Sequence, residues 1–167
     1  MFETGDYVVY GHVGICQVKG VTTMDMDGIP KDRLYYVLQP DGKTEGTVYT
    51  PVDNMKLVLR PVMTKEEAEQ LIEEIPEIDT LFIENDKLRE TRYKECLKSC
   101  NSRELVRIIK TIYFRRRDRL ASGKKATAMD ERYMKMAEDN LYSELALLLK
   151  IPKENMVDYI SEKIAEA

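Results

Sequence analysis

The feature that most constrains the fold is a change in the spacing of apolar residues near Arg60-Pro61. Before this point, short runs rich in Val, Ile, Leu and Tyr alternate with turn dipeptides such as Gly-Asp and Asp-Gly, which predicts strands. After it, apolar residues recur every three or four positions, which predicts helices. A chain of 167 residues can hold two small domains. We therefore expect an all-β domain at residues 1–60 and an all-α helical bundle at residues 61–167.

The first part of the chain predicts five short strands, at residues 6–10, 14–21, 33–39, 47–51 and 56–60. A hairpin tip is expected at Met24–Gly28 and a tight turn at Gln39–Gly42. Five strands at this spacing favour a small twisted barrel. Such barrels bind partners through an edge strand or a face, and they have little room for a catalytic pocket.

The second part predicts four or five helices separated by short links. The first is acidic, because residues 61–86 hold nine acids and one base, Lys65. Pro76 ends it. Side chains of the capping type mark where the helices begin. The expected caps are Thr64, Asp86, Asn101 or Ser102, and Thr127, with Pro152 beginning a last helix that runs to about Ala165.

Positive charge is concentrated between Lys87 and Lys125. This stretch holds fourteen Lys and Arg against four acids, a net of +10, so the rest of a chain of net charge −4 must carry −14. A charge distribution with two poles favours a polyanionic partner. The alternative is a long helix with an ordinary solvated face. The stretch ends in Arg-Arg-Arg-Asp-Arg and a basic Ala-Ser-Gly-Lys-Lys loop, which suits contact with a phosphate backbone.

Helical spacing divides the residues between 101 and 120 into two faces. We expect a buried stripe at Leu105, Ile108, Ile109, Ile112 and Leu120. On the opposite side, we expect a solvated line of Arg103, Arg107, Lys110 and Arg117. Few acids lie four residues before these bases, so we expect most of them to lack an ion-pair partner.

Three segments of the β part resemble a known module: Gly5-Asp6-x-Val8-Val9-Tyr10-Gly11-His12-x-Gly14-Ile15, Tyr35-Tyr36-Val37-Leu38 and Val48-Tyr49-Thr50-Pro51. They are similar to the Tudor-like RNA-polymerase-interacting module shared by the CarD/CdnL family and the transcription-repair coupling factors. Three helical segments are similar to CarD proteins: Arg92-Tyr93-Lys94-x-x-Leu97, Leu105-Val106-x-Ile108-Ile109 and Ser143-Glu144-Leu145-Ala146. The shortness of the chain after the module also fits CarD rather than a helicase.

The resemblance implies a transcription regulator that binds the β-subunit lobe of RNA polymerase and contacts upstream promoter DNA with little sequence preference. The family's tryptophan wedge for the minor groove falls on Arg89, with Leu88 beside it, because this chain contains no Trp. The expected polymerase-binding residues are Met24, Tyr36, Tyr49 and Thr50. The expected DNA-binding residues are Lys87, Leu88, Arg89, Arg92, Arg107, Lys110, Arg117, Lys124 and Lys125. The alternative is a polymerase-binding adaptor whose helical part recruits another protein.

Several other classes of function are not expected. His12, Cys16, Cys96 and Cys100 lack the closely paired spacing of a structural zinc site, so we expect no metal, and we expect no cofactor. A catalytic triad and a phosphate-binding glycine loop are both missing, so no enzymatic activity is expected. No apolar run approaches the ~18 residues of a membrane span, and we expect a cytoplasmic, nucleoid-associated monomer.

Overall fold

The computed structural model describes residues 1–41, 46–53 and 59–166. The chain divides into two compact units, Met1–Val62 and Met63–Ala167. The first unit contains the strands and the second contains the helices, as the change in apolar spacing predicts. Among the described residues, no helix combines the length and the apolar character needed to cross a bilayer.

The first unit is a five-stranded sheet. Its strands are β1 Tyr7–Tyr10, β2 Gly14–Thr23, β3 Leu34–Pro40, β4 Val48–Pro51 and β5 Leu59–Pro61. They are arranged in the order β4-β3-β2-β1-β5, and each neighbouring pair is antiparallel. The predicted strands are confirmed to within two or three residues at each described end. Positions 56–58 of the predicted fifth strand and Gly42 of the predicted turn lie outside the described residues.

The core of the first unit lies on one face of this sheet. Side chains alternate between the two faces along a strand, and the members of this core recur at every second position in β1 and β3, although Val9, Ile15 and Tyr35 are buried as well. The core is formed by Val8, Tyr10, Cys16, Val18, Tyr36 and Leu38. The pairing of Val18 with Leu38 is followed by an irregularity in β2, after which Gly20 pairs with Val37.

The second unit contains five helices: α1 Lys65–Glu74, α2 Arg89–Lys98, α3 Ser102–Ala121, α4 Ala128–Leu149 and α5 Lys153–Ala165. Three predicted caps are confirmed. Thr64, Asn101 and Thr127 each accept a hydrogen bond from a backbone N–H in the first turn of the following helix. These bonds satisfy donors that a helix start leaves without intrahelical partners.

The start of α2 differs from the prediction. A short 3₁₀ turn at Asp86–Leu88 precedes the helix, and the side chain that caps this turn is Asn85, whose Oδ1 accepts from the Lys87 N–H at 3.0 Å. The Asp86 carboxylate instead accepts from the Arg89 guanidinium at 3.0 Å. The expectation that Asp86 is the cap is therefore wrong, because an arginine three residues later binds its carboxylate.

One hydrophobic core joins all five helices. Its largest fully buried members from the later helices are Ile108, Ile109, Ile112, Leu141, Leu145, Met156, Ile160 and Ile164. Leu120 was expected to continue the buried stripe of α3, but 61% of its surface is exposed. Leu120 lies in the last turn of α3, and helical spacing alone does not ensure that another element covers a given side chain.

Candidate functional site

The main feature of the described part of the first unit is the edge strand β4. Within the described residues, β4 pairs with β3 alone. The Val52 N–H donates to the Leu34 carbonyl at 3.0 Å, and Val37 pairs with Tyr49 in the same register. Hydrogen-bonding direction alternates along a strand, so the Tyr49 N–H and C=O point away from β3. These groups can pair with the strand of another chain.

Tyr49 also provides an exposed aromatic side chain at this edge, since 47% of its surface is accessible. The other predicted polymerase-binding residues differ from it. Tyr36 and Thr50 lie on the core face and are almost completely buried, at 3% and 1% exposure. The prediction of a surface role for these two side chains is therefore wrong. Met24 follows the end of β2 and is half-buried.

Tyr36 has a structural role instead. Its hydroxyl accepts a hydrogen bond from the Phe2 N–H at 3.0 Å, and its ring lies 5.8 Å from the Phe2 ring, measured between centroids. These contacts attach the N-terminal segment to the sheet. A sequence pattern of consecutive tyrosines does not show which of them points inward, because that depends on the strand register.

In the second unit, many bases between Lys87 and Lys125 have acidic partners. The expectation that such partners are scarce is wrong, since most of them lie three residues away or on neighbouring segments, and only Lys94 pairs with an acid four residues before it. Ion pairs of this kind neutralise the positive charge of the bases that form them. They join Arg92 to Glu84 and Glu95, Lys94 to Glu90, Arg103 to Glu74, and Arg107 to Glu104.

Lys110 is buried, with 3% of its surface exposed. Its ammonium donates to the carbonyls of Ile75 at 2.7 Å, Ile78 at 2.6 Å and Pro76 at 3.3 Å. Burial lowers the pKa of this lysine, because desolvation penalises its charged form. The prediction that Lys110 contacts DNA is therefore wrong. It attaches α3 to the turn that follows α1.

A second internal network joins α2, α3 and α4. Asp130 is almost completely buried, and it accepts a hydrogen bond from the Tyr93 hydroxyl at 3.0 Å. The other carboxylate oxygen lies 3.0 Å from Nε of Arg115. Burial raises the pKa of Tyr93, so this hydroxyl remains a proton donor across the neutral range. A buried polar group of this kind needs partners, and Tyr93 and Arg115 provide them.

Arg89, at the predicted wedge position, belongs to this network. Its guanidinium donates to Asp86 at 3.0 Å and to the Tyr93 hydroxyl at 3.3 Å, and only 15% of its side chain is exposed. To enter a DNA groove, it would have to give up both partners. Leu88 beside it is half-buried.

The start of α2, the end of α3 and the loop after α3 lie together at one end of the second unit. Arg115 Nη1 is 3.6 Å from the Asp86 carboxylate. Arg119 Nε donates to the Lys125 carbonyl, and the Lys124 N–H donates to the Arg119 carbonyl, both at 2.8 Å. We call residues 85–89 and 115–125 the basic end. It holds eight Lys and Arg against two acids.

Four of the predicted DNA-binding bases lie at this basic end with exposed side chains: Lys87, Arg117, Lys124 and Lys125. The Arg117 guanidinium is 4.8 Å from the centroid of the Phe114 ring and 64% exposed. The predicted bases Arg92 and Arg107 lie elsewhere, in the ion pairs described above. Arg116 and Arg119 were not singled out by sequence, although their place in the run of arginines was the signal.

A groove of about 330 Å³ lies between α2, the start of α3 and the segment before α2. It is lined by Leu81, Phe82, Arg92, Glu95, Cys96, Ser99, Glu104 and Arg107. Phe82 is 76% exposed, and sequence reasoning did not select it. Burial, together with the hydrogen bond to Glu104, raises the pKa of Cys96 to about 12. This thiol is therefore a weak nucleophile, and the groove has the character of a contact surface.

The first unit also matches a known domain family in sequence. Residues 2–63 match the family model of the CarD-like/TRCF RID domain. The first unit is a CarD-like RID domain. This membership, which the resemblance predicted, indicates an interaction with RNA polymerase in transcription. No curated protein matches the chain.

Proposed function

We propose that this protein is a bacterial transcription regulator that binds the β-subunit lobe of RNA polymerase and contacts upstream promoter DNA to modulate the stability of the open complex. The observation that carries the proposal is the presence of a RID domain in the same chain as a helical unit with a basic end, which holds eight Lys and Arg against two acids. In this proposal, the protein acts as a monomer in the cytoplasm, without catalysis. The sheet corresponds to a Tudor-like barrel and the helices to a bundle.

Polymerase docks on the edge of β4. Tyr49 presents its N–H and C=O there, since residues 36 and 50 form the hydrogen-bonded pair on the inner side of the strand. Strand addition takes its affinity from main-chain bonds, with side chains contributing specificity. The exposed Tyr49 ring is suited to providing this specificity. Met24 contributes a contact at the periphery of this docking surface.

Two variants of Tyr49 separate these contributions. Tyr49→Ala removes the ring and keeps the N–H, whereas Tyr49→Pro also removes an N–H that β3 does not use. We expect the alanine variant to weaken binding to the isolated β lobe and the proline variant to abolish it. Calorimetric titration measures both, and circular dichroism confirms that the sheet is retained. A folded proline variant with wild-type affinity would contradict docking through strand addition.

DNA binds at the basic end. Its exposed lysines and arginines provide phosphate contacts, which are largely independent of sequence. Each contact releases counterions, so affinity for a free duplex falls steeply with salt. Tyr93 and Arg115, which both contact the buried Asp130, support this surface by fixing α2, α3 and α4 relative to one another.

Charge reversal tests the DNA contact. Lys124→Glu/Lys125→Glu changes the basic end, and Lys98→Glu/Lys135→Glu is the matched control with the same change in net charge at two exposed lysines outside it. We expect the first variant to lose duplex binding and the effect on open-complex lifetime, with polymerase binding retained. The control should retain all three properties. Equal losses in both variants would show that only net charge matters.

A protein-recruiting adaptor is the second candidate. It is favoured by the ion pairing of Arg92 and Arg107 and by the exposed Phe82 beside them. An adaptor would retain its regulatory effect after charge reversal at Lys124 and Lys125. It would lose that effect with Phe82→Ala, which removes the most exposed part of the groove. The same transcription assay therefore separates the two functions.

A further inference from the structure

The most exposed aromatic side chain among the described residues is Phe82, at 76%. Its neighbours Leu81 and Ile83 both pack against the hydrophobic core of the helical unit. The Leu81 N–H also donates to Oγ1 of Thr111 on α3 at 2.8 Å. These contacts hold the segment before α2 against the helices and leave the ring between them in solvent. The exposure of Phe82 is therefore a consequence of how its neighbours pack.

Phe82 lines the groove of about 330 Å³ between this segment, α2 and the start of α3. The Cys96 thiol in the same lining is uncharged at neutral pH, because its pKa is raised to about 12. Arg107 and Glu104 are paired with each other at 3.1 Å, so together they add no net charge. A groove of this volume can accept apolar side chains of a partner, which would remove the Phe82 ring from water.

The accessible charge beside the ring is negative. Arg92 lies 3.2 Å from Glu84 and 3.4 Å from Glu95, so two carboxylates share one guanidinium. Both carboxylate side chains are more exposed than their partner, at 53% and 59% against 40%. Residues 71–86, which include two residues of the lining, hold six acids and no base. A positively charged occupant therefore complements this groove.

We propose that the groove binds a positively charged segment of a partner protein, with an apolar side chain of that segment packed against Phe82. This inference goes beyond the contact with promoter DNA, and it names the chemistry of the partner that an adaptor would recruit. It rests on the groove alone, so it does not depend on DNA binding at the basic end. Nucleic acids and anionic membranes are poor occupants, because their phosphates would face the carboxylates of Glu84 and Glu95.

The test uses the full-length, isotope-labelled protein and three synthetic peptides of equal length. The first repeats Lys-Leu-Leu-Lys, the second has serine in place of each leucine, and the third has glutamate in place of each lysine. Calorimetric titration measures the affinities, and amide chemical shifts locate the contact. We expect the first peptide to bind about tenfold more tightly than the second and the third not to bind. The shifts that change should include those of residues 81–83 and Ser99.

Variants of the protein separate the apolar contact from the charge. Phe82→Ala should weaken binding of the first peptide by about tenfold, as truncation of a central aromatic contact does, and leave the second unchanged. Leu120→Ala removes another exposed apolar side chain of the same unit and should bind as the wild type does. Glu84→Gln/Glu95→Gln should weaken binding and reduce its dependence on salt.

Each part of the inference has an outcome that would overturn it. Wild-type affinity in a folded Phe82→Ala variant, or equal affinity for the first two peptides, would overturn the apolar contact. Shift changes confined to α1, which is also acidic, would overturn the location. Tight binding of the third peptide would overturn the charge complementarity. Lys124→Glu/Lys125→Glu should retain peptide binding while it loses duplex binding, so failure of the DNA contact and failure of this inference are distinguishable.

Discussion

Replacing the buried Lys110 by methionine tests the internal arrangement of the helical unit. Methionine keeps a long unbranched side chain and removes the ammonium that donates to Ile75, Pro76 and Ile78. This substitution should destabilise the protein, although the sequence pattern placed Lys110 on the solvated side of α3.

The size of the effect follows from what each carbonyl retains. The Ile75 carbonyl also accepts from the Ile78 N–H at 3.2 Å, so it keeps a partner. The carbonyls of Pro76 and Ile78 lose the bonds described here, and an unsatisfied buried acceptor costs about 1–3 kcal/mol. Relief of the desolvation that lowers the pKa of Lys110 offsets part of this cost. We expect a net loss of about 3 kcal/mol in the free energy of unfolding, and a Tm lower by roughly 10 °C.

Circular dichroism at 222 nm during heating and urea titration measures the change. Lys135→Met is the matched control, because Lys135 is exposed on α4, and it should alter stability by less than about 0.5 kcal/mol. Equal stability of the two variants would refute the role assigned to Lys110. Below its Tm, Lys110→Met should bind duplex DNA as the wild type does, since its ammonium does not reach solvent.

Three further predictions concern buried or paired groups. Cys96 has a pKa of about 12, so at pH 8 its thiol should react with a disulfide reagent only after denaturation, and rapid labelling of the native protein would contradict this. The hydrogen bond from Arg89 lowers the pKa of Asp86 below 3.8. The stability that the ionised Asp86 gives to the folded protein is therefore complete above pH 3.8, and it is lost as pH falls through the lowered pKa. Asp86→Asn should therefore reduce the dependence of stability on pH below about 4, as acid unfolding monitored by circular dichroism would show; an unchanged slope would argue against the pair. Tyr93→Phe removes the hydroxyl that donates to Asp130 and should cost about 1–3 kcal/mol in urea unfolding, whereas a loss near zero would mean that the carboxylate does not need this donor.

Local chemistry made much of the fold predictable. The change of apolar period near Arg60 separates the strands from the helices because each period matches one backbone geometry. Thr64, Asn101 and Thr127 cap their helices through bonds to backbone groups within three residues. Such contacts need no tertiary partner, so they can be read from the sequence.

The candidate surfaces were only partly predictable. Tyr36 and Tyr49 are both strand tyrosines, and only the register of β3 and β4 shows that one is buried and the other lies at an edge. The concentration of positive charge was visible in the sequence, but its location was not. It depends on the contacts that bring the start of α2 to the end of α3.

The order of strands and helices, the starts of α1, α3 and α4 and the RID family of the first unit can all be read from the sequence. Tertiary structure alone decided that Lys110 is buried, that Arg89 is bonded within the protein and that Leu120 is exposed. Helical spacing gives the direction of a side chain from its own helix. Whether that direction leads to solvent, to a carbonyl or to a carboxylate depends on segments remote in sequence, such as the turn at Ile75.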